Sequence, residues 1–333
     1  MAGAHPVGAL CQARKRLGEA PLRRLFEQAA APLATPATIG AWLADRWRLM
    51  AIDGVTLDVL DTPDNPKEFG RPNSRTGHGG AFPQVRVVGL GECGTHAVVA
   101  AELGPIGSGE RELAVGVLAD LQEGMLAMFD RGFFSYDFFA QARDTGADVL
   151  FRVSSHLKLP LLQQLPDGSY LSAITPKGVP TPAALGEARW RAAARQAVLV
   201  RVVEYQLTGR DASEPYRIIT SITDWREALS PDLAAAYDQR WEFEIALDEI
   251  DTHQIAHTRV LRSKSPEAVR QEIWGILLAH YAIRALMTEA AYDADIDPRP
   301  AIVYAIPAGD PPRSRWLRGI SPLTPITTPP TDA

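Results

Sequence analysis

The sequence predicts a mixed α/β fold, with a sheet flanked by helices. Three observations carry that expectation. Hydrophobic residues fill 46% of the 333 positions and charged residues 22%, a balance that supplies a core and excludes a wholly disordered chain. From Trp47 onward, apolar strand-like runs alternate with helical patterns in the order β-β-β-α-β-α-β. A Pro/Gly-punctuated stretch, 156–223, then adds short strand-like pieces before helices return.

Residues 1–46 read as the end of a helical region, with Leu22, Leu25 and Phe26 at helical spacing and a local charge of +4 over the first 50 residues. Residues 47–155 read as the first part of the core. Trp47 to Leu60 is rich in apolar and β-branched residues, and a polar Gly/Pro loop follows from Asp61 to Gly80. Phe82 to Leu90 and Thr95 to Leu103 read as two strands of a hairpin joined through Gly91-Glu-Cys-Gly94. Glu110 to Leu121 is helical in pattern, Gly124 to Asp130 is a short buried strand, Phe133 to Gly146 is a helix that stops at its glycine, and Ala147 to Ser155 is another strand. Residues 156–223 form the β-rich insertion, and 224–297 complete the core with two helices. The second of these carries Ile273, Ile276, Leu277, His280, Ile283 and Met287 near helical spacing. Residues 298–333 hold nine of the 26 prolines and read as an extended or disordered tail.

Composition narrows the function. Lys and Arg total 34 against 40 Asp and Glu, a net charge of −6, which excludes a polycation that coats nucleic acid by charge alone. Two cysteines and seven histidines without H-E-x-x-H spacing argue against a disulfide framework or a soft-metal centre. No apolar run has the length of a membrane span and the N-terminus lacks a signal-peptide stretch, so the expected location is cytoplasmic, with no membrane partner.

Three acids sit where reactive carboxylates are found. Asp53 lies inside an apolar strand, where a charge is expensive unless paired or metal-bound. Asp130 ends a buried strand, and strand ends in α/β sheets face ligand crevices. Glu244 lies on a helix; at about 100° per residue it shares a face with Tyr237 and Arg240, whereas Glu242 falls on the other side. Three carboxylates from separate elements suit two Mg²⁺ ions, which prefer oxygen ligands and serve in-line displacement at a phosphodiester.

These residues carry a family resemblance. AIDGVTLDVLDT around Asp53, FDRGFFSY around Asp130 and YDQRWEFEIALDEI around Glu244 resemble the DDE transposases of the insertion-sequence-four family, whose helix signature is Y-x-x-R-x-x-x-E-x-x-x-x-x-x-K. The match spans roughly residues 10–290, with the motifs in family order. The resemblance implies a ribonuclease H-like catalytic core with a β-rich insertion before the last catalytic helix. It implies Asp53, Asp130 and Glu244 as catalytic metal ligands for two Mg²⁺ or Mn²⁺ ions. It further implies Tyr237 and Arg240 as contacts to transposon-end DNA, and cut-and-paste transposition by a homodimer on double-stranded terminal repeats and target DNA, placing the protein at the nucleoid. The family Lys position is Asp251 here, a charge that repels phosphate; Arg262 and Lys264, with Arg259, are the nearby cations that take over DNA contact in this reading. By the same resemblance the chain starts and ends short of a full family member. The alternatives are an impaired remnant that keeps the fold and binds DNA, and another ribonuclease H-like nuclease such as a junction resolvase.

Other features have plainer readings. Gly89-Leu-Gly91-Glu-Cys-Gly94 has the letters of a dinucleotide loop, but a strand follows instead of a helix, so it reads as a hairpin turn. His253 and His257 lack a third ligand, Arg14-Lys15-Arg16 reads as a solvated helix face, and Trp190 and Trp225 read as packing residues. As the bland alternative, Asp130 is an N-cap for the helix after it.

Overall fold

The computed structural model describes residues 6–72, 82–179, 197–207, 216–251, 260–299 and 320–322. Its helices are α1 (Pro6–Leu17), α2 (Ala20–Ala29), α3 (Asn65–Phe69), α4 (Glu110–Val117), α5 (Tyr136–Asp144), α6 (Ser230–Asp238), α7 (Arg240–Glu249) and α8 (Pro266–Asp293). Its strands are β1 (Trp42–Leu43), β2 (Trp47–Val59), β3 (Gln84–Glu92), β4 (Val98–Pro105), β5 (Met125–Phe129), β6 (Asp148–Arg152), β7 (Gln163–Gln164), β8 (Tyr170–Ile174), β9 (Val198–Leu207), β10 (Tyr216–Thr220), β11 (Val260–Leu261) and β12 (Ile320–Pro322). From β2 to β6 the order is the β-β-β-α-β-α-β read from the sequence with one addition, the short helix α3 in the stretch read as a polar loop, in a mixed α/β fold with helix-flanked sheet. Among the described residues no helix is long and apolar enough to cross a membrane.

The chain divides into two compact units. Unit 1 comprises Met1–Ala41, Met50–Asp120 and Trp241–Ile302. Its sheet is the antiparallel run β4-β3-β2, with β11 added parallel to the end of β2. The turn between β3 and β4 is the hairpin expected from the glycine pattern. Directly paired residues of an antiparallel sheet point to the same face, so the two faces can be assigned. Gly54, Val88, Glu102 and Gly104 share one face by register. There α4 packs, since a Cβ at Gly54 would strike Glu110 and one at Gly104 would meet Leu113. The opposite face, with Asp53, Gly89 and Gly91, receives Phe243 of α7. Helix α8 is the core helix expected from its spacing: Val269, Ile273, Trp274 and Leu277 are buried, and Trp274 packs on Phe26 of α2 with ring centroids 5.6 Å apart.

The helical reading of the first 50 residues holds only to Ala29. Pro32, Pro36 and Gly40 interrupt any further helix, and Trp42–Leu43 instead pairs antiparallel with Trp47 and Arg48.

Unit 2 comprises Trp42–Leu49, Leu121–Arg240 and Val303–Ala333. Here β5 and β6 are parallel, joined by α5 as a crossover, and the sheet continues antiparallel as β6-β10-β9-β8-β7. The described strands of the 156–223 stretch therefore extend the sheet that starts with β5 and β6. Phe129, Phe133, Phe138, Phe139 and Phe151 are buried together, with Phe129 stacked on Phe151 at 4.2 Å. Trp47 donates from Nε1 to Asp148 at 2.7 Å, tying the start of β2 to β6.

Beyond residue 299, three residues of the tail are described, and they are extended. Ile320–Pro322 forms a strand paired antiparallel with Tyr205–Leu207 of β9, on the edge that β8 leaves open, so these residues are ordered by main-chain hydrogen bonds. Proline is compatible with such an edge position. The rest of the tail beyond residue 299 lies outside the described residues, as do Trp190, His253, His257 and Arg259.

Candidate active site

Asp53 sits in the middle of β2, opposite Gly89 of β3, and its Oδ1 accepts the Gly54 amide at 2.8 Å. Gly89 and Gly91 lack side chains for a steric reason. A Cβ at Gly89 would lie 3.2 Å from the Phe243 ring and one at Gly91 would overlap it. The two glycines form a notch that seats Phe243, and Glu244 is the next residue on α7. Asp53 points to the face on which Phe243 sits, so within unit 1 the fold brings Asp53 and Glu244 to one side of the sheet. Both are partly buried.

Unit 2 holds Asp130, Tyr237 and Arg240. Asp130 follows the last residue of β5 and makes no side-chain cap bond to the 3₁₀ turn after it. Helix α5 is capped by Ser135, whose Oγ accepts the Phe138 amide at 3.2 Å. The capping role is thus filled by Ser135, and the N-cap reading of Asp130 falls. Tyr237 donates its hydroxyl to the Phe129 carbonyl at 3.3 Å, one peptide before Asp130. Burial pushes the Tyr237 phenol well above its ordinary range. Arg240 is 8% exposed, its guanidinium 5.7 Å from the Tyr237 ring centroid.

The sequence reading took Tyr237 to Glu244 as one helix. The structure breaks it at Gln239: α6 ends at Asp238 and α7 begins at Arg240. The Gln239 amide turns back to the Ala236 and Tyr237 carbonyls, a tightened last turn. The shared-face argument therefore applies within each helix and not across Gln239. Glu242 is committed elsewhere, to His96 at 2.9 Å.

Arg152 was missed by sequence reasoning. It ends β6, and the parallel register Phe129↔Phe151 places it beside Asp130, with Nη1 3.9 Å from the carboxylate. Its guanidinium also covers the Tyr216 ring at 4.2 Å. A strand-end acid and a strand-end arginine one βαβ unit apart were the available signal. Arg262 and Lys264 are exposed, just after β11. Since β11 pairs with Asp58 and Val59, they lie beyond the far end of β2, about 17 Å or more along the strand from Asp53. The structure does not bring them to Asp53.

Among the described residues, no three His, Cys, Asp or Glu side chains are gathered as for one metal ion. Asp53 and Glu244 offer oxygen donors only, the donor set that a hard Mg²⁺ or Mn²⁺ ion takes and a soft metal does not.

Comparisons with known proteins show the family. A family model described as "Transposase DDE domain" matches residues 46–282, more than half of the chain. The transposase InsG for insertion sequence element IS4 of Escherichia coli K12 is 29% identical over 85% of this chain and 61% of its own length. The putative transposase InsZ of the same organism is 32% identical over 42% of this chain and 46% of its own. The chain thus spans about three fifths or less of the length of these relatives. Among solved structures, a piggyBac transposase synaptic complex with hairpin DNA is similar at a TM-score of 0.37 and 11% identity, over 74% of this chain and 47% of that one.

Proposed function

We propose that this chain, which belongs to the DDE transposases of the insertion-sequence-four family, cleaves DNA at transposon ends and joins the freed 3′ end to target DNA by phosphoryl transfer. Asp53, Asp130 and Glu244 are the carboxylates that would hold divalent metal. Bound Mg²⁺ or Mn²⁺ would supply charge at the attacking and leaving oxygens of an in-line displacement.

The chain's own residues do the remaining work. Arg152 and Arg240 provide positive charge for the scissile region of the DNA backbone, because guanidinium groups bind phosphate in a fork. Tyr237, hydrogen-bonded to the Phe129 carbonyl, holds α6 against the end of β5 and so sets Arg240 beside it. Exposed Arg262 and Lys264 suit contact with a more distant stretch of duplex. The first displacement breaks the bond between the 3′ oxygen and phosphorus as water adds. In the second, the freed 3′-hydroxyl attacks a target phosphate and displaces that strand's own 3′ oxygen, which leaves as a 3′-hydroxyl. Action on paired ends calls for a homodimer on DNA and for residence at the nucleoid.

The observation that supports this reading most directly is the notch of Gly89 and Gly91. It seats Phe243 and thereby turns α7, with Glu244, to the face that carries Asp53. The test is cleavage of terminal-repeat DNA by the whole chain in Mg²⁺ or Mn²⁺. Asp53→Ala is expected to abolish it; cleavage that survives Asp53→Ala refutes the assignment.

A second reading, an impaired relative that keeps the fold, is favoured by Asp251 at the family's Lys position. It predicts metal binding without strand transfer, even on pre-cleaved ends.

A further inference from the structure

Helix α7 is held by a buried chain of hydrogen bonds that neither the family signature nor the sequence reading contains. Glu242 and Glu249 are seven residues apart, two turns, and so lie on one face of α7. At one end, Arg284 of α8 grips Glu249 with two nitrogens: Nη2 to Oε1, and Nε to Oε2 at 3.1 Å. The same Nη2 donates to His96 Nδ1 at 2.7 Å. A ring nitrogen that accepts from a guanidinium carries no proton, so the ring proton is on Nε2. That Nε2 donates to Glu242 at 2.9 Å. One continuous chain, Glu249–Arg284–His96–Glu242, therefore brackets α7 across two turns.

The bracket is itself rigidly mounted. His96 is 1% exposed and lies in the β3–β4 turn at φ 60°, a conformation that costs energy in a residue with a side chain. Its amide donates to the Glu92 carbonyl at 2.9 Å. The Glu92 carboxylate in turn accepts Thr95 Oγ1 at 2.5 Å and the Leu33 and Ala34 amides at 2.9 and 2.8 Å. Arg284 is 2% exposed on α8.

Helical geometry turns this mounting into a statement about Glu244. Taking the Glu242–Glu249 face as origin, Phe243 is about 100° around the helix and Glu244 about 200°. The bracket and the Phe243 notch fix α7 at two azimuths, which removes its freedom to roll about its own axis. The third azimuth, Glu244, is then set.

We propose that His96 and Arg284 are positioning residues that fix the roll of α7 and so aim the Glu244 carboxylate toward the face that carries Asp53. The idea rests on the proposed function, in which Glu244 binds metal. Residues that orient a metal ligand without touching the metal change its affinity about 10–100-fold when removed.

The experiment titrates the whole chain with Mn²⁺ alone, reading free ion by electron paramagnetic resonance, with far-UV circular dichroism to check folding. Arg284→Met is expected to weaken Mn²⁺ binding about tenfold, and Arg284→Lys to restore part of it. His96→Gln, which leaves no buried charge unpaired, is expected to weaken binding in the same direction and covers the case in which Arg284→Met fails to fold. In a Glu244→Ala background, Arg284→Met is expected to change Mn²⁺ affinity no further, because the bracket acts through Glu244. Wild-type affinity in folded Arg284→Met and His96→Gln overturns the proposal, as does an equal loss with and without Glu244. If Mn²⁺ binding by the otherwise unaltered chain ignores Asp53→Asn, the proposed function fails and the bracket's role falls with it. That result needs neither bracket variant, so the two failures are distinguishable.

Discussion

Each unit buries an arginine against a carboxylate, and the two pairs are finished differently. In unit 2, Arg201 is 0% exposed on β9 and uses all three of its nitrogens: Nη2 to Asp167, Nε to Ser169 Oγ at 2.8 Å and Nη1 to the Ala228 carbonyl at 2.6 Å. Asp167 also accepts the Ser230 amide at 2.8 Å, so the cluster welds the turn before β8 to the first residue of α6. In unit 1, the Arg284–Glu249 pair sits among two histidines. Among the described residues, Arg284 Nη1 and His280 Nδ1 are buried without a hydrogen-bond partner, and His280 Nε2 only approaches Glu249 at 3.4 Å. The first cluster is closed; the second is under-satisfied and lies on the helix that carries Glu244. Complete networks rigidify a fold, whereas buried polar groups left short of partners cost stability and mark places where something other than stability is served. An arginine–carboxylate pair thus acts as a weld in unit 2 and, in the proposal above, as an alignment device in unit 1.

The comparison is most directly broken by removing the cation of the closed cluster. Arg201→Met strands Asp167, whose side chain is 5% exposed, and is expected to cost about 3–5 kcal/mol, read as a lower urea midpoint. Glu249 is already 13% exposed with Arg284 in place and lies beside His280, so Arg284→Met is expected to cost less, about 2 kcal/mol by the same measurement. Equal losses would erase the distinction. Gly91→Ala tests the other constraint on α7: the added methyl overlaps the Phe243 ring and is expected to cost about 1–2 kcal/mol, while Gly107→Ala, with nothing near its Cβ, is a neutral control in thermal unfolding.

The smallest effect is in pH, and it sharpens the contrast. Burial raises both carboxyls, but partners outweigh it. The Ser169 hydroxyl and Arg201 hold Asp167 below the usual range, and the His280 ring at 3.4 Å together with Arg284 holds Glu249 well below it. A depressed carboxyl contributes stability that is present above the ordinary carboxylate range and drains as pH falls through it, so both units loosen in acid. Unit 1 has a further group: burial depresses His280 despite Glu249, with Arg284 and His96 adding to the shift. A depressed histidine favours unfolding once the unfolded chain gains its proton, below about pH 6.5. Hydrogen exchange, corrected for its intrinsic pH dependence, is therefore expected to show α8 opening more readily between pH 7 and 5 while the amides of β9 hold until the carboxylate range.

Much of this was legible in the sequence because the signals were local. Apolar runs, glycines and prolines placed β2 to β6 with α4 and α5, though not α3; a charge among apolar neighbours drew attention to Asp53, and a strand-end acid to Asp130. What was not legible depended on pairing at a distance. Nothing in Tyr237-Asp-Gln-Arg240 breaks a helix by propensity, so the interruption at Gln239 answers to tertiary packing. Arg152 meets Asp130 only through the β5–β6 register, and His96, inside the stretch Thr95 to Leu103 read as a strand, meets Arg284 and Glu242 only once α7 and α8 pack over it. Arg201 lay unnoticed in an apolar strand for the same reason.

The notch and its occupant share one volume, and that has a consequence for how this chain can vary. Enlarging residue 91 is tolerable only if residue 243 shrinks in step, so the two positions are expected to change together among relatives, 152 residues apart in sequence, rather than singly. Glu244 is adjacent to that trade, which makes the paired variant Gly91→Ala with Phe243→Leu a route to retune the proposed site without altering any of the residues proposed to face DNA.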